Sequence, residues 1–129
     1  MDNLEKREKK LDSNTPMAYS GIVFIETPIF THLITELLDD DNYSRLQTEL
    51  VINPDKGALI VGGGGIRKIR WSLGKGRGKR SGVRIIYYYK DSKGQILMLY
   101  VYPKNVADNL TAKQKKILNQ IAKEFYNEP

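Results

Sequence analysis

Three runs rich in β-branched and aromatic residues follow one another in the second half of the chain, and this succession strongly constrains the fold. The runs cover residues 66–71, 83–90 and 95–102. A glycine-rich segment separates the first two, and the turn-forming segment 91–94 separates the second from the third. Such runs favour β-strands, and short connections between them join antiparallel neighbours. The sequence therefore predicts three consecutive antiparallel strands.

Helical signals lie on both sides of these strands. A further strand-like run covers residues 21–26, after which Thr27 suits an N-cap and Pro28 the first helical position. Apolar residues at helical spacing then predict two helices, and the acidic triplet 39–41 ends the first and caps the second. A capping box over residues 111–114 begins a last helix. Its predicted apolar face consists of Ile117, Leu118, Ile121, Ala122 and Phe125.

This order of elements is typical of an α+β fold. We predict the order β-α-α-β-β-β-α, with an antiparallel sheet and the helices packed on one of its faces. Residues 21–129 are expected to form this domain. Residues 1–20 combine a run of charges with a Ser-Asn-Thr-Pro breaker cluster, and we expect them to be a flexible charged leader.

Positive charge is concentrated in the strand region. Residues 56–90 contain ten Lys or Arg and no Asp or Glu, in a chain with 21 basic and 15 acidic residues. The rest of the chain is therefore net acidic. A solvated basic surface is the simpler explanation, but these cations alternate with apolar residues and flank a glycine-rich loop. We therefore interpret the segment as a surface for a polyanion such as nucleic acid.

Several kinds of site are excluded by composition. The chain has no cysteine and a single histidine, His32, so neither a thiolate nor a multi-histidine metal site can form. We expect no metal and no cofactor. No apolar run reaches membrane-spanning length and no signal peptide is visible. We accordingly expect a cytoplasmic protein with no membrane partner.

The strand pattern places several cations on one face of the predicted sheet. Lys68 and Arg70 share a face, and Arg84 points away from its neighbours Val83 and Ile85. Like charges so close repel one another unless an anion lies between them. Cleavage of RNA by its own 2′-hydroxyl requires a base, a cation at the phosphate and an acid at the leaving oxygen. Arginines can supply the cation, and a crowded lysine with a lowered pKa can act as base or acid.

Tyrosines on the last two predicted strands offer stacking surfaces for RNA bases or a phenolic proton donor. The alternative is that most of the tyrosines in the run 87–89 pack within a central strand. The residues concerned are Tyr87, Tyr88, Tyr89, Tyr100 and Tyr102.

Four blocks carry a resemblance to a known family over most of the domain. They are residues 23–30 (VFIETPIF), 64–70 (GGIRKIR), 78–88 (GKRSGVRIIYY) and 102–105 (YPKN), the last followed by Leu110-Thr111. With these blocks in this order, the chain resembles the RelE/HigB branch of bacterial toxin–antitoxin toxins, within the RelE/ParE superfamily. The resemblance implies a RelE-like fold.

The resemblance also implies which residues act. The catalytic set falls on Lys68, Arg70, Arg84, Lys104 and Tyr102, with Lys104 and Tyr102 both open as the acid. The chain departs from RelE at Asn105, where RelE has an arginine. We expect five further cations to bind RNA. They are Arg67 and four residues of the basic, glycine-rich segment 74–82: Lys75, Arg77, Lys79 and Arg80.

The implied function is that of a cytoplasmic toxin, a metal-independent endoribonuclease or mRNA interferase. Such a toxin enters the ribosomal A site, cuts translated mRNA through its 2′-hydroxyl and inhibits translation. Its expected partners are the ribosome, mRNA and a cognate antitoxin, which we expect to be a helix-turn-helix protein. Two alternatives remain open: a non-catalytic inhibitor of DNA gyrase of the ParE type, and an RNA-binding module with a decayed site.

Overall fold

The computed structural model describes the backbone of residues 7–9 and both backbone and side chains in residues 21–73, 82–107 and 109–127. These residues form a sheet of six strands and three α-helices, in the sheet order β1-β2-β6-β5-β4-β3. The strands are β1 Arg7–Lys9, β2 Val23–Glu26, β3 Ala58–Leu59, β4 Arg67–Trp71, β5 Val83–Lys90 and β6 Gln95–Pro103. The helices are α1 Pro28–Leu37, α2 Asp40–Ile52 and α3 Ala112–Phe125. The predicted α+β class is confirmed.

Each helix begins at the polar residue that the sequence predicts. The hydroxyl of Thr27 accepts a hydrogen bond from the Phe30 amide at the start of α1. The carboxylate of Asp39 caps α2 in the same way, with two further acids in the first turn. Thr111 and Gln114 make both bonds of the predicted capping box at the start of α3. These side chains satisfy backbone N–H groups that have no partner inside the helix.

The strands β4, β5 and β6 are successive antiparallel neighbours, as predicted. The prediction of a wholly antiparallel sheet is wrong at one place, because β2 runs parallel to β6. Parallel neighbours require a long crossover, and here the chain between β2 and β6 passes through α1, α2 and three other strands. Such a partner, distant in sequence, leaves no local pattern from which its direction can be predicted.

The helices pack on both faces of the sheet, and the prediction of a single covered face is wrong. Phe30 of α1 and Leu46 of α2 pack with Ile96 and Met98 of β6 on one face. Leu118 of α3 packs with the alternate residues of β6 on the other. Because β6 is apolar on both sides, each face must be covered to exclude water. We call these the α1–α2 face and the α3 face.

Both edges of the sheet carry short strands that the sequence pattern did not predict. At one edge, β1 pairs antiparallel with β2, so residues 7–9 of the expected leader extend the sheet, while the rest of residues 1–20 lie outside the described residues. At the other edge, β3 pairs with β4 across the glycine turn. Gly64 in this turn has φ 68°, and a Cβ there would lie 2.5 Å from the Asn119 side chain of α3. Only glycine permits both this backbone conformation and this close approach to α3.

Tyr87 ties the segment that leads into β3 to the sheet. Its hydroxyl donates to the carbonyl of Pro54 (2.7 Å) and accepts from the amide of Gly57 (2.8 Å). Its ring is fully buried, and burial raises the pKa of Tyr87, so the phenol stays protonated at neutral pH. Removal of the hydroxyl would leave the buried Gly57 amide without its partner.

We expect Tyr87→Phe to lower the free energy of unfolding by about 1–3 kcal/mol, the usual effect of leaving a buried donor unsatisfied. Urea unfolding followed by circular dichroism measures this. Tyr89→Phe is the matched control. Among the described residues, the Tyr89 hydroxyl bonds only the exposed Asp91 side chain, so its loss should change the free energy of unfolding by less than about 0.5 kcal/mol. Equal losses in the two variants would contradict the role of Tyr87.

Across the described ranges, none of the helices combines the length and the apolar character needed to cross a bilayer.

Candidate active site

The structure places the predicted cations of β4 and β5 on the α3 face. Ile69 and Trp71 of β4 pack on the α1–α2 face, so the alternate residues Lys68 and Arg70 point to the α3 face. Arg70 lies directly opposite Arg84 in the register of β4 and β5. This sequence-predicted pairing of cations across neighbouring strands is therefore present in the fold.

A groove opens beside these residues, between the β3–β4 edge and the start of α3. It has a volume of about 320 Å³ and contains the side chains of Lys68, Arg70 and Lys115. The other lining residues are Asn109 and the apolar residues Ala58, Leu59, Ile60, Val61 and Leu110. Three cations therefore share this basic groove, and its described lining contains no carboxylate. Such a concave, cationic surface concentrates anions.

Two residues of the basic groove were missed by the sequence analysis. Asn109 accepts a hydrogen bond from the ammonium of Lys68 (2.9 Å), which holds that flexible side chain at the groove. Lys115 lies on the same helical face as Leu118 and Ala122, which are buried against the sheet. The helical spacing of Lys115 from these apolar residues could have indicated its position. A lysine on the inner face of an amphipathic helix must extend past the core to reach solvent. No local pattern marks Asn109.

Arg84 and Tyr102 form the buried part of the site. They lie opposite each other in the register of β5 and β6, and each is only 5% exposed. Charge–charge attraction is stronger where water is excluded, so a guanidinium at such a position acts strongly on a nearby phosphate.

Lys104 is brought to the same end of the sheet by a backbone contact. Its amide donates to the carbonyl of Gly82 (2.9 Å), and a Cβ at Gly82 would lie 4.0 Å from Nη1 of Arg84. The same Cβ would lie 2.9 Å from the Trp71 carbonyl oxygen, so glycine allows the close approach of β4 and β5 here. The five predicted catalytic residues thus occupy the α3 face and the adjoining end of β5 and β6.

A second, smaller pocket adjoins the basic groove, with which it shares Asn109 and Leu110. We call it the tyrosine pocket. It has a volume of about 60 Å³, and the rings of Tyr100 and Tyr102 in its lining are 5.7 Å apart. Its other lining residues are Val106, Ala107 and Gln114.

Arg67 is separated from this site. It points to the other side of β4, where it donates to the carbonyls of Asp55 (3.1 Å) and Gly57 (2.7 Å) and approaches the Asp55 carboxylate at 3.6 Å. These contacts hold the segment before β3. The other four residues predicted to bind RNA, Lys75, Arg77, Lys79 and Arg80, lie outside the described residues.

His32 lies on the exposed side of α1, 3.8 Å from Glu36, far in the fold from the α3 face. Within the described ranges, no group of three His, Asp or Glu side chains is arranged to hold a metal ion. The chemical groups that the site itself presents are ammonium, guanidinium, phenol and amide.

Comparison with known protein families identifies the chain. The family model described as the RelE toxin of the RelE/RelB toxin–antitoxin system matches residues 55–128, which is more than half of the chain. The chain belongs to the RelE toxin family. The resemblance drawn from the sequence blocks is confirmed, and the protein is the toxin of a toxin–antitoxin pair, which implies an antitoxin as its partner.

The part of this RelE-family toxin that matches the family model contains the whole site. Strands β3 to β6 and helix α3 all lie within residues 55–128. Every residue that lines the basic groove or the tyrosine pocket also lies within this range, in these elements or in the loops between them. Strand β2 and helices α1 and α2 precede the matched segment, and these two helices cover the opposite face of the sheet.

Proposed function

We propose that this RelE-family toxin is a ribosome-dependent endoribonuclease that cleaves mRNA in the A site and thereby inhibits translation. The observation that carries the proposal is the convergence of Lys68, Arg70 and Arg84 on one face of the sheet. Like charges gathered in this way are stabilised by a bound polyanion. The RelE family generally consists of endoribonuclease toxins, which supports the same conclusion.

The proposed reaction is attack of the RNA 2′-hydroxyl on the adjacent phosphate. The 2′-hydroxyl gives its proton to a base, the bond between the 2′-oxygen and phosphorus forms, and the bond to the 5′-oxygen breaks. The 5′-oxygen takes up a proton, and a cyclic phosphate remains. Lys68 and Arg70 would hold the phosphate, and buried Arg84 would stabilise the charge that develops on its oxygens. Tyr102 and Lys104 are the candidates for protonating the leaving oxygen.

The proposed partners are the ribosome, mRNA and an antitoxin of the helix-turn-helix type, and the proposed location is the cytoplasm. Residues 21–129 would act as the toxin domain. The basic segment with Lys75, Arg77, Lys79 and Arg80 would add contacts to ribosomal or messenger RNA phosphates.

Primer extension on mRNA from cells that express the toxin tests the proposal against inhibition of DNA gyrase. We expect new 5′ ends within translated codons and unchanged supercoiling by gyrase. Damage to DNA that depends on gyrase, with intact mRNA, would overturn the proposal and favour a ParE-type inhibitor. RNA binding without new 5′ ends would indicate a binding module with a decayed site.

We expect Lys115→Gln to weaken binding of short single-stranded RNA and to lower the slope of log K against log salt by about one ion. The reason is that Lys115 lines the basic groove and would contact one phosphate. Fluorescence anisotropy at several salt concentrations measures the slope. Lys116→Gln is the matched control, because it makes the same charge change on an exposed side chain outside the groove lining. Identical slopes for the two variants would remove Lys115 from the proposed interface.

A further inference from the structure

The tyrosine pocket contains two amide side chains, Asn109 and Gln114, whose oxygens are already engaged. The oxygen of Asn109 accepts from the ammonium of Lys68 at 2.9 Å. The oxygen of Gln114 accepts from the backbone amide of Thr111 at 2.8 Å, as the second bond of the capping box. Both bonds therefore fix which way round each amide group sits.

With its oxygen engaged in this way, each amide can still donate hydrogen bonds from its NH₂ group. Within the described part of the chain, neither NH₂ group donates a hydrogen bond to another residue. An amide nitrogen only donates, so the groups of these side chains that are not yet hydrogen-bonded offer two donors to a ligand in the pocket. The pocket therefore suits a ligand with two neighbouring acceptor atoms.

The rest of the pocket suits a flat, partly apolar ligand. The Tyr100 and Tyr102 rings, Val106, Ala107 and Leu110 line it. Its volume of about 60 Å³ admits the edge of an aromatic heterocycle and not a whole nucleotide. Unstacked RNA bases bind proteins in this way, with a face against an aromatic side chain and an edge hydrogen-bonded to polar groups.

The position of the pocket places such a base next to the phosphate site. Asn109 lines both the tyrosine pocket and the basic groove, and it bonds Lys68. Tyr102 lies opposite Arg84 across β5 and β6. A nucleotide with its phosphate among the cations would have its base within reach of the pocket.

We propose that Asn109 and Gln114 are specificity-determining residues that read the edge of the base next to the cleaved phosphate and favour guanine. This inference rests on the proposed ribonuclease function. Guanine presents two neighbouring acceptors, N7 and O6, on one edge. Adenine and cytosine each present an amino donor on that edge, and this donor would face the amide donors. Uracil has a single acceptor there, the oxygen corresponding to O4 of thymine.

The test uses Asn109→Asp and Gln114→Glu, alone and together. Each change is isosteric and keeps the oxygen that Lys68 or the Thr111 amide requires, but it replaces the NH₂ donor with an acceptor. Asn127→Asp is the control for the same chemical change, because this exposed residue lies beyond the end of α3 and lines neither pocket. The readout is the ratio of cleavage rates on ribosomes programmed with A-site codons that differ only in the base at the cut. A ratio is required because a new carboxylate beside Lys68 would also lower the absolute rate.

For the parent toxin and Asn127→Asp we expect guanine to be preferred over adenine by at least roughly ten-fold, as one well-placed pair of hydrogen bonds supplies. For the double variant we expect this preference to disappear or to reverse. Ribosome-dependent cleavage with the same base ratios in parent and double variant overturns the inference and leaves the proposed function standing. Absence of cleavage by the parent toxin overturns both.

Discussion

Arg84→Ala is expected to reduce cleavage of A-site mRNA on the order of 10²–10³-fold, the usual effect of removing one group that stabilises developing charge. Arg84 is 5% exposed and lies opposite both Arg70 and Tyr102, so its charge acts where water is largely excluded. The neighbouring cation Arg70 cannot replace it, because Arg70 is exposed on the next strand. Single-turnover cleavage on programmed ribosomes measures the change, and circular dichroism shows whether the fold is retained.

Two further variants separate charge from geometry at this position. Arg84→Lys keeps the charge but loses the planar fork of donors, so we expect an intermediate rate. Arg45→Ala removes one positive charge from the exposed side of α2, where the side chain contacts only Asp41 and Asn42 among the described residues, and it should cleave at the parent rate. If a folded Arg84→Ala protein cleaves as fast as the parent, Arg84 has no catalytic role.

Free RNA is expected to be cut negligibly by the pure toxin, while the same sequence in the ribosomal A site is cut rapidly. The site presents cations that hold a phosphate, but the described residues form an open groove with no element that would force a flexible RNA into line for 2′-hydroxyl attack. Correct positioning can lower a barrier by roughly 7–11 kcal/mol in favourable cases, and we expect the ribosome to supply it. The proposed chemistry uses Lys, Arg and Tyr side chains, so EDTA at levels that spare the ribosome should leave the rate unchanged.

The cleavage rates of free and ribosome-bound RNA are compared at equal RNA concentrations. The Arg84→Ala protein, purified in the same way, is the control for contaminating nucleases. If this variant cuts free RNA as fast as the parent while its cleavage of A-site mRNA is reduced, a contaminating nuclease cuts the free RNA. Efficient cleavage of free RNA by the parent toxin, stimulated by a divalent metal, would contradict the mechanism proposed for this site.

Features that depend on neighbours in sequence could be predicted from the sequence. Thr27, Asp39 and Thr111 cap their helices because an N-cap bond reaches only two or three residues along the chain. The alternation along β4 likewise placed Lys68 and Arg70 together, since side chains in a strand alternate between faces. In the register of β4 and β5, Arg70 lies opposite Arg84 and Lys68 lies opposite Ile86.

Features that depend on distant packing could not be predicted in the same way. The parallel pairing of β2 with β6 and the packing of α3 on the second face join segments far apart in sequence. The apolar run of β6 was a neglected signal, because both of its faces are buried. Asn109 accepts a hydrogen bond from Lys68, which is 41 residues away in sequence. No residue near Asn109 in sequence indicates that contact.

The two faces of β5 have a genetic consequence. Val83, Ile85 and Tyr87 point into the α1–α2 face, whereas Arg84 points to the α3 face. A selection for cells that survive expression of the toxin should therefore recover substitutions at successive codons for two different reasons. Survivors altered at residues 83, 85 and 87 should contain little folded toxin, while survivors altered at residue 84 should accumulate it harmlessly. On immunoblots, the amount of toxin in the survivors should therefore be low, high or low according to which face of β5 the altered residue occupies.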